Sequence, residues 1–227
     1  ITPVTGYQTI TVNAATDSQE KEAAQGYQTN LTGFDYKKGD WKETKDGLYS
    51  NAVDKGDCFA FSKTTAKNFV YSTDVTFKRN QGAATLIFRF NNNLDNKECY
   101  AVNIDGGSHK CKFWRWQENS DYQLIDEKEV KATDDEKYTL KVVAYDSWIS
   151  YYVNDTLVAS TGDYTLQKDD KGQSTVLTEG SLGLLNWNGE MTFQNTYYTE
   201  LNDQNTPELK NISVSSSTGD VEKAAQF

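Results

Sequence analysis

The chain has 227 residues, with 33 Asp and Glu against 23 Lys and Arg for a formal charge of −10, and only three of the basic residues are Arg. That balance excludes a surface built to neutralise the phosphates of nucleic acid or of an anionic bilayer, and no run approaches the ~18 apolar residues of a membrane span. The 14 Tyr, 10 Phe and 5 Trp can each bury on the order of 150–250 Å², so one β domain with an aromatic core is expected despite a hydrophobic fraction of 37%.

In chain order, residues 1–30 read as a leading segment, with about two helical turns available at residues 18–24. The stretch Ile10 to Gln25 reappears, with a one-residue gap, as Ile212 to Gln226. Read as a module boundary occurring twice, this divides the chain into a leading segment 1–30, a β domain 31–201 and a linker 202–227 that opens a second module. The alternative is two similar Ser/Thr-rich linkers. Strands are predicted at residues 69–77, 84–90, 99–105, 112–116, 138–144, 149–153, 156–159, 180–185 and 191–196. Each is rich in β-branched and aromatic residues and bounded by Gly, Asn or Asp. Asn154-Asp155 between two strands is a two-residue hairpin turn, and Asp105-Gly-Gly-Ser-His109 joins another pair. Short strands punctuated this closely predict a sandwich.

Nucleophilic catalysis has little to work with. His109 is the only histidine and sits in a predicted turn, which leaves Ser-His-Asp or Cys-His chemistry dependent on one solvated residue. The acidic runs Asp126-Glu-Lys-Glu129, Asp134-Asp-Glu136 and Asp169-Asp170 read as solvated turns rather than as paired carboxylates for glycoside hydrolysis. Cys58, Cys99 and Cys111 are odd in number and match no metal or redox spacing, so they read as small buried hydrophobes, or as one disulfide plus a free thiol.

Strand alternation points to binding instead. In residues 84–91, Leu86, Phe88 and Phe90 share one face, leaving Arg89 on the other. In residues 99–105, Asn103 and Asp105 fall opposite Tyr100, Val102 and Ile104. Side by side, these strands would set Arg89, Asn103 and Asp105 on one surface, a guanidinium fork beside acid and amide, which suits vicinal sugar hydroxyls that both donate and accept. A plain cross-strand ion pair is the competing reading. Trp114 and Trp116 share a face of their strand, and Trp187 lies in the polar strand end Asn186-Trp-Asn-Gly-Glu190; a Trp face stacks on the C–H side of a sugar ring.

The motifs Gly82-Ala-Ala-Thr-Leu-Ile-Phe-Arg-Phe-Asn91, Tyr100-Ala-Val-Asn-Ile-Asp105, Lys112-Phe-Trp-Arg-Trp116, Ile149-Ser-Tyr-Tyr-Val-Asn-Asp155 and Gly183-Leu-Leu-Asn-Trp187, in this order and spacing, resemble the family 66 carbohydrate-binding modules. These are related to the C-terminal β-sandwich of family 32 fructan hydrolases. The resemblance covers residues 31–201. It implies an all-β, concanavalin-like jelly-roll sandwich of two antiparallel sheets that binds the terminal fructose of levan or inulin and performs no chemistry. Matching the motifs places Arg89, Tyr100 and Asp105 on family positions; Asn103, Trp114, Trp116, Trp187 and Glu190 are added from polarity and rim placement. The module is expected to be monomeric within a larger secreted polypeptide, with a fructan as partner and no required cofactor. A structural Ca²⁺ is left open, with Asp54, Asp57 and Asp74 as available oxygen donors. A glycosidase or lyase on the same scaffold, and an adhesin repeat without a sugar site, are the alternatives.

Overall fold

The structure, a computed structural model, describes residues 29–79, 81–117, 121–161, 171 and 176–202. The repeated stretches at the two ends, the leading segment up to residue 28, the linker from residue 203 and Asp169-Asp170 lie outside these. The strands in chain order are β1 (Thr29–Asn30), β2 (Asp35–Lys37), β3 (Asp40–Thr44), β4 (Gly47–Asn51), β5 (Asp57–Ala66), β6 (Phe69–Arg79), β7 (Ala83–Phe90) and β8 (Cys99–Asp105). They continue as β9 (Lys110–Gln117), β10 (Asp121–Glu129), β11 (Lys137–Tyr145), β12 (Trp148–Val153), β13 (Thr156–Thr161), β14 (Gly180–Trp187) and β15 (Glu190–Glu200). One sheet has eight strands, in the order β13-β12-β11-β6-β15-β4-β3 with β1 also paired to β15; the other has seven, β10-β9-β8-β7-β14-β5-β2. Both are antiparallel, and they stack as a jelly-roll sandwich.

The core lies between the sheets. Tyr71, Phe77, Leu140, Val142, Tyr151 and Phe193 meet Leu86, Phe88, Tyr100, Val102, Phe113 and Leu184 of the seven-stranded sheet, and full burial of each such side chain contributes roughly 1.5–3 kcal/mol. The Tyr71 hydroxyl donates to the Gly183 carbonyl at 2.7 Å, tying the sheets together.

All nine predicted strands form. The Asn154-Asp155 turn has both residues at positive φ, 49° and 63°, as a two-residue hairpin of this twist requires. The strands β1 to β5 and β10 were not expected, and β1 lies within the expected leading segment, paired with β15. In β5, Ala60 and Ala66 pack into the core while Phe59 and Phe61 pack on the outer face, so both faces are apolar and the period-two signal vanishes. Residues 126–129, expected in a solvated turn, belong to β10, where Glu127 lies opposite Lys112 and its carboxylate pairs with Lys110 at 2.8 Å. Acids that look like turn residues are here matched to lysines on the neighbouring strand.

The end of β7 departs from simple alternation. Ser181 of β14 pairs with Phe90 and Gly183 with Ile87, so Phe88 and Arg89 together oppose Leu182. This is a β-bulge, with Arg89 at φ 51°. Beyond it the faces exchange: Phe90 joins Phe61 and Ile87 on the outside, and Arg89 turns inward, 1% exposed.

Candidate functional site

The outer face of the seven-stranded sheet is built in rows that follow from the strand register. One row runs Asp57, Trp187, Ala83, Asp105, Lys110; the next runs Phe59, Leu185, Thr85, Asn103, Lys112; a third runs Phe61, Gly183, Ile87, Ala101, Trp114. Small side chains at the centre, Ala83, Thr85 and Ala101, are flanked by Trp114 and Trp116 on one side and by Leu185 and Trp187 on the other. The result is a depression of about 290 Å³, closed further by Asp57 and Tyr122. Tyr122 packs on Trp116 at 5.0 Å between ring centroids, and Trp187 is 42% exposed at the rim.

Polar groups converge on the floor. The Lys112 ammonium lies 3.7 Å from Asp105 Oδ2 and 6.0 Å from the Trp114 ring centroid. Asn103 Oδ1 accepts the Lys112 backbone N–H at 3.1 Å, which holds the amide in place and leaves its NH₂ group as a donor. Asp105 Oδ1 accepts the N–H groups of Gly107 and Ser108 at 2.9 and 3.1 Å, so the hairpin turn fixes the carboxylate. Burial pushes the Asp57 carboxyl above the usual carboxylate range, partly opposed by the charges of Lys97 and Lys38. The arrangement offers a cation, two acids, an amide and a hydroxyl among aromatic walls, the mixture that suits a neutral polyhydroxylated ring.

Five of the residues singled out from the sequence meet here: Asn103, Asp105, Trp114, Trp116 and Trp187. Three do not. Arg89 was expected on the outer surface, but the bulge carries it inside, where Nε and Nη2 donate to the Lys67 carbonyl at 3.3 and 2.7 Å and Nη1 to the Leu177 carbonyl at 2.8 Å. Burial lowers its pKa to about 10. Tyr100 is a core residue, stacked on Phe88 at 5.5 Å, and its hydroxyl accepts the Leu177 N–H at 3.2 Å. Glu190 begins a strand of the other sheet, is 8% exposed, and accepts the Tyr49 hydroxyl at 2.7 Å while pairing with Lys78 at 3.0 Å and Arg79 at 3.7 Å. The sequence reading passed over Lys112, although alternation sets it on the face of Trp114 and Trp116. Asp57, whose strand shows no alternation, was named only as an oxygen donor for a cation, and Thr85 was not singled out.

The Tyr49 and Lys78 contacts hold the Glu190 carboxyl below the ordinary glutamate range. A depressed folded-state pKa contributes stability above the unfolded value, and that stability is lost as pH falls through the folded one. Glu190→Gln is therefore expected to lower the melting temperature by a few degrees at neutral pH, with the gap to wild type closing in acid. Thermal unfolding across a pH series checks it; a gap that persists unchanged in acid contradicts the assignment.

The three carboxylates considered for a cation do not gather. Asp54 lies in the turn before β5, Asp57 in the depression, and Asp74 on β6, where it accepts the Thr139 hydroxyl at 2.6 Å and the Asn195 amide at 2.9 Å. Among the described residues, no group of three or more His, Cys, Asp and Glu has metal-holding geometry. All three cysteines are free and buried, and burial raises each thiol pKa, that of Cys111 to about 12.

The family described as 3-keto-alpha-glucoside-1,2-lyase-like domain matches residues 25–198. The chain is 61% identical over 189 residues, 83% of its length, to a fructan beta-fructosidase of Streptococcus mutans serotype c. It is 28% identical over 169 residues, 74% of its length, to a levanase of Bacillus subtilis. It spans 13% and 23% of those two proteins. Among solved structures, the carbohydrate binding module CBM66 from Bacillus subtilis is similar at a TM-score of 0.63 and 27% identity, covering 75% of this chain and 98% of that one.

Proposed function

We propose that this chain, which belongs to the 3-keto-alpha-glucoside-1,2-lyase-like domain family, is a non-catalytic carbohydrate-binding module that seats the terminal fructose of a fructan in the depression on the seven-stranded sheet. The observation that carries this reading is the meeting of Trp114, Trp116 and Trp187 with Lys112, Asp105, Asn103 and Asp57 around a floor of small side chains. A furanose ring stacked on an indole loses apolar contact with water, while its hydroxyls exchange water for the cation, acid and amide. The volume, about 290 Å³, is at the small end of ligand sites, which suits a chain end better than a chain interior. Fructans are uncharged, so the acidic surface does not repel them.

Because most hydroxyls only trade one hydrogen bond for another, the affinity should be modest, about 10⁻⁵–10⁻³ M. The likeness to parts of fructan-degrading proteins and to a solved carbohydrate-binding module supports placing the chain as an accessory module of an extracellular fructan-active polypeptide.

The likeness to a solved carbohydrate-binding module, 98% of which is covered by the match, supports a non-catalytic role against a hydrolase or lyase. Calorimetric titration with fructose, levan, inulin and a glucan, alongside an assay for released reducing sugar, tests the proposal. Heat with fructans and no released sugar is expected. Released sugar would make the chain an enzyme, and no heat with any fructan would favour a spacer.

A further inference from the structure

The outer face of the seven-stranded sheet carries a second concavity. Phe59 of β5 and Trp116 of β9 meet edge to face, with ring centroids 6.3 Å apart and planes at 87°. The sheet therefore curves enough for side chains to touch above the three intervening strands, and this contact forms a ridge. The depression lies on one side of it. On the other, a groove of about 660 Å³ runs past Phe61 and Phe90 toward Asp35, Lys37, Lys63 and Asn92.

The groove repeats the chemistry of the depression. Phe59, Phe61 and Phe90 stack in sequence at 5.1 and 4.8 Å, giving an aromatic strip continuous from the ridge. Lys37 and Asp35 pair at 3.1 Å, as Lys112 and Asp105 do at 3.7 Å. Asn92 supplies an amide as Asn103 does, and Ser62, Thr65 and Ser181 supply hydroxyls as Thr85 does. Both charge signs are present at the rim, which matches a neutral polyol better than an ion.

We propose that this groove is a second saccharide subsite, taking further sugar units of the polysaccharide whose end the depression holds. The proposal rests on the reading of the depression as a fructose site. Two weak subsites on one face raise the apparent affinity for a long or branched chain without changing affinity for a single unit.

The test compares levan polysaccharide with fructose for three proteins: wild type, a groove variant carrying Lys63→Ala and Thr65→Trp, and Trp187→Ala in the depression. Binding is followed by calorimetry, with melting temperatures as the check on folding. The groove variant is expected to bind levan about tenfold more weakly while keeping wild-type affinity for fructose. The surface pair Lys63→Ala and Asp35→Ala, expected to act in the same direction, covers the case in which the larger side chain disturbs the sheet. Wild-type levan affinity in both groove variants would overturn the second subsite and leave the depression standing. If Trp187→Ala instead binds normally while the groove variant loses both ligands, the groove is the saccharide site and the assignment of the depression fails.

Discussion

Arg89→Ala is expected to destabilise the domain by roughly 3–5 kcal/mol, because two buried carbonyls lose their donor at about 1–3 kcal/mol each and the truncated side chain leaves a cavity. In a domain of this size that lowers the melting temperature by on the order of 10 °C. The guanidinium is 1% exposed and donates three hydrogen bonds to two carbonyls from segments far apart in sequence, Lys67 before β6 and Leu177 before β14. Alanine leaves those carbonyls without their donor and opens a cavity beside Tyr100. Arg89→Lys should recover only part of the loss, because one ammonium on a flexible stem lacks the planar fork that reaches both acceptors. Sugar affinity of the folded fraction should not change, since Arg89 does not line the depression. Urea unfolding combined with titration separates the effects. An Arg89→Ala protein that melts like wild type and has lost fructan binding would restore the outward-facing guanidinium inferred from the sequence.

Trp187→Ala is expected to produce the opposite pattern, a loss of about 10–100-fold in fructan affinity with a melting temperature within a few degrees of wild type. The indole is 42% exposed at the end of β14, so its removal leaves no cavity in the core. As a rim aromatic it would supply apolar contact to a ring held by Asn103, Asp105 and Lys112, and loss of such an anchor is typically worth 2 kcal/mol or more. Calorimetry gives the affinity. Tryptophan emission gives an independent signal, because Trp114, Trp116 and Trp187 all line the depression and a sugar seated there should perturb them. Unchanged affinity in this variant would remove the depression from the binding mechanism.

Strand alternation explains both what was legible in the sequence and what was not. Asn103 and Asp105 share the outer face of β8, and Trp114 and Trp116 that of β9, because successive side chains in an extended chain point to opposite sides. Those residues could be grouped before any tertiary contact was known. Alternation also sets Lys112 beside the two tryptophans. It carries no information in β5, apolar on both faces, and so Asp57 at its start could be named as an oxygen donor for a cation but not placed on this face. It gives the wrong face for Arg89, because the bulge at the end of β7 inserts a residue and exchanges the two sides of the strand.

By itself, then, the sequence determined an antiparallel sandwich, most of its strands and the aromatic, amide and acidic character of one sheet face, because those features follow from backbone chirality and local turn chemistry. Only the tertiary structure decided which cation serves that face, Lys112 rather than Arg89, and that Tyr100 and Glu190 stand away from it. It also decided how far the sheet curves, which brings Phe59 against Trp116 and divides the face in two. These outcomes depend on which strands become neighbours and where their register slips, and those are fixed by contacts between segments distant in the chain.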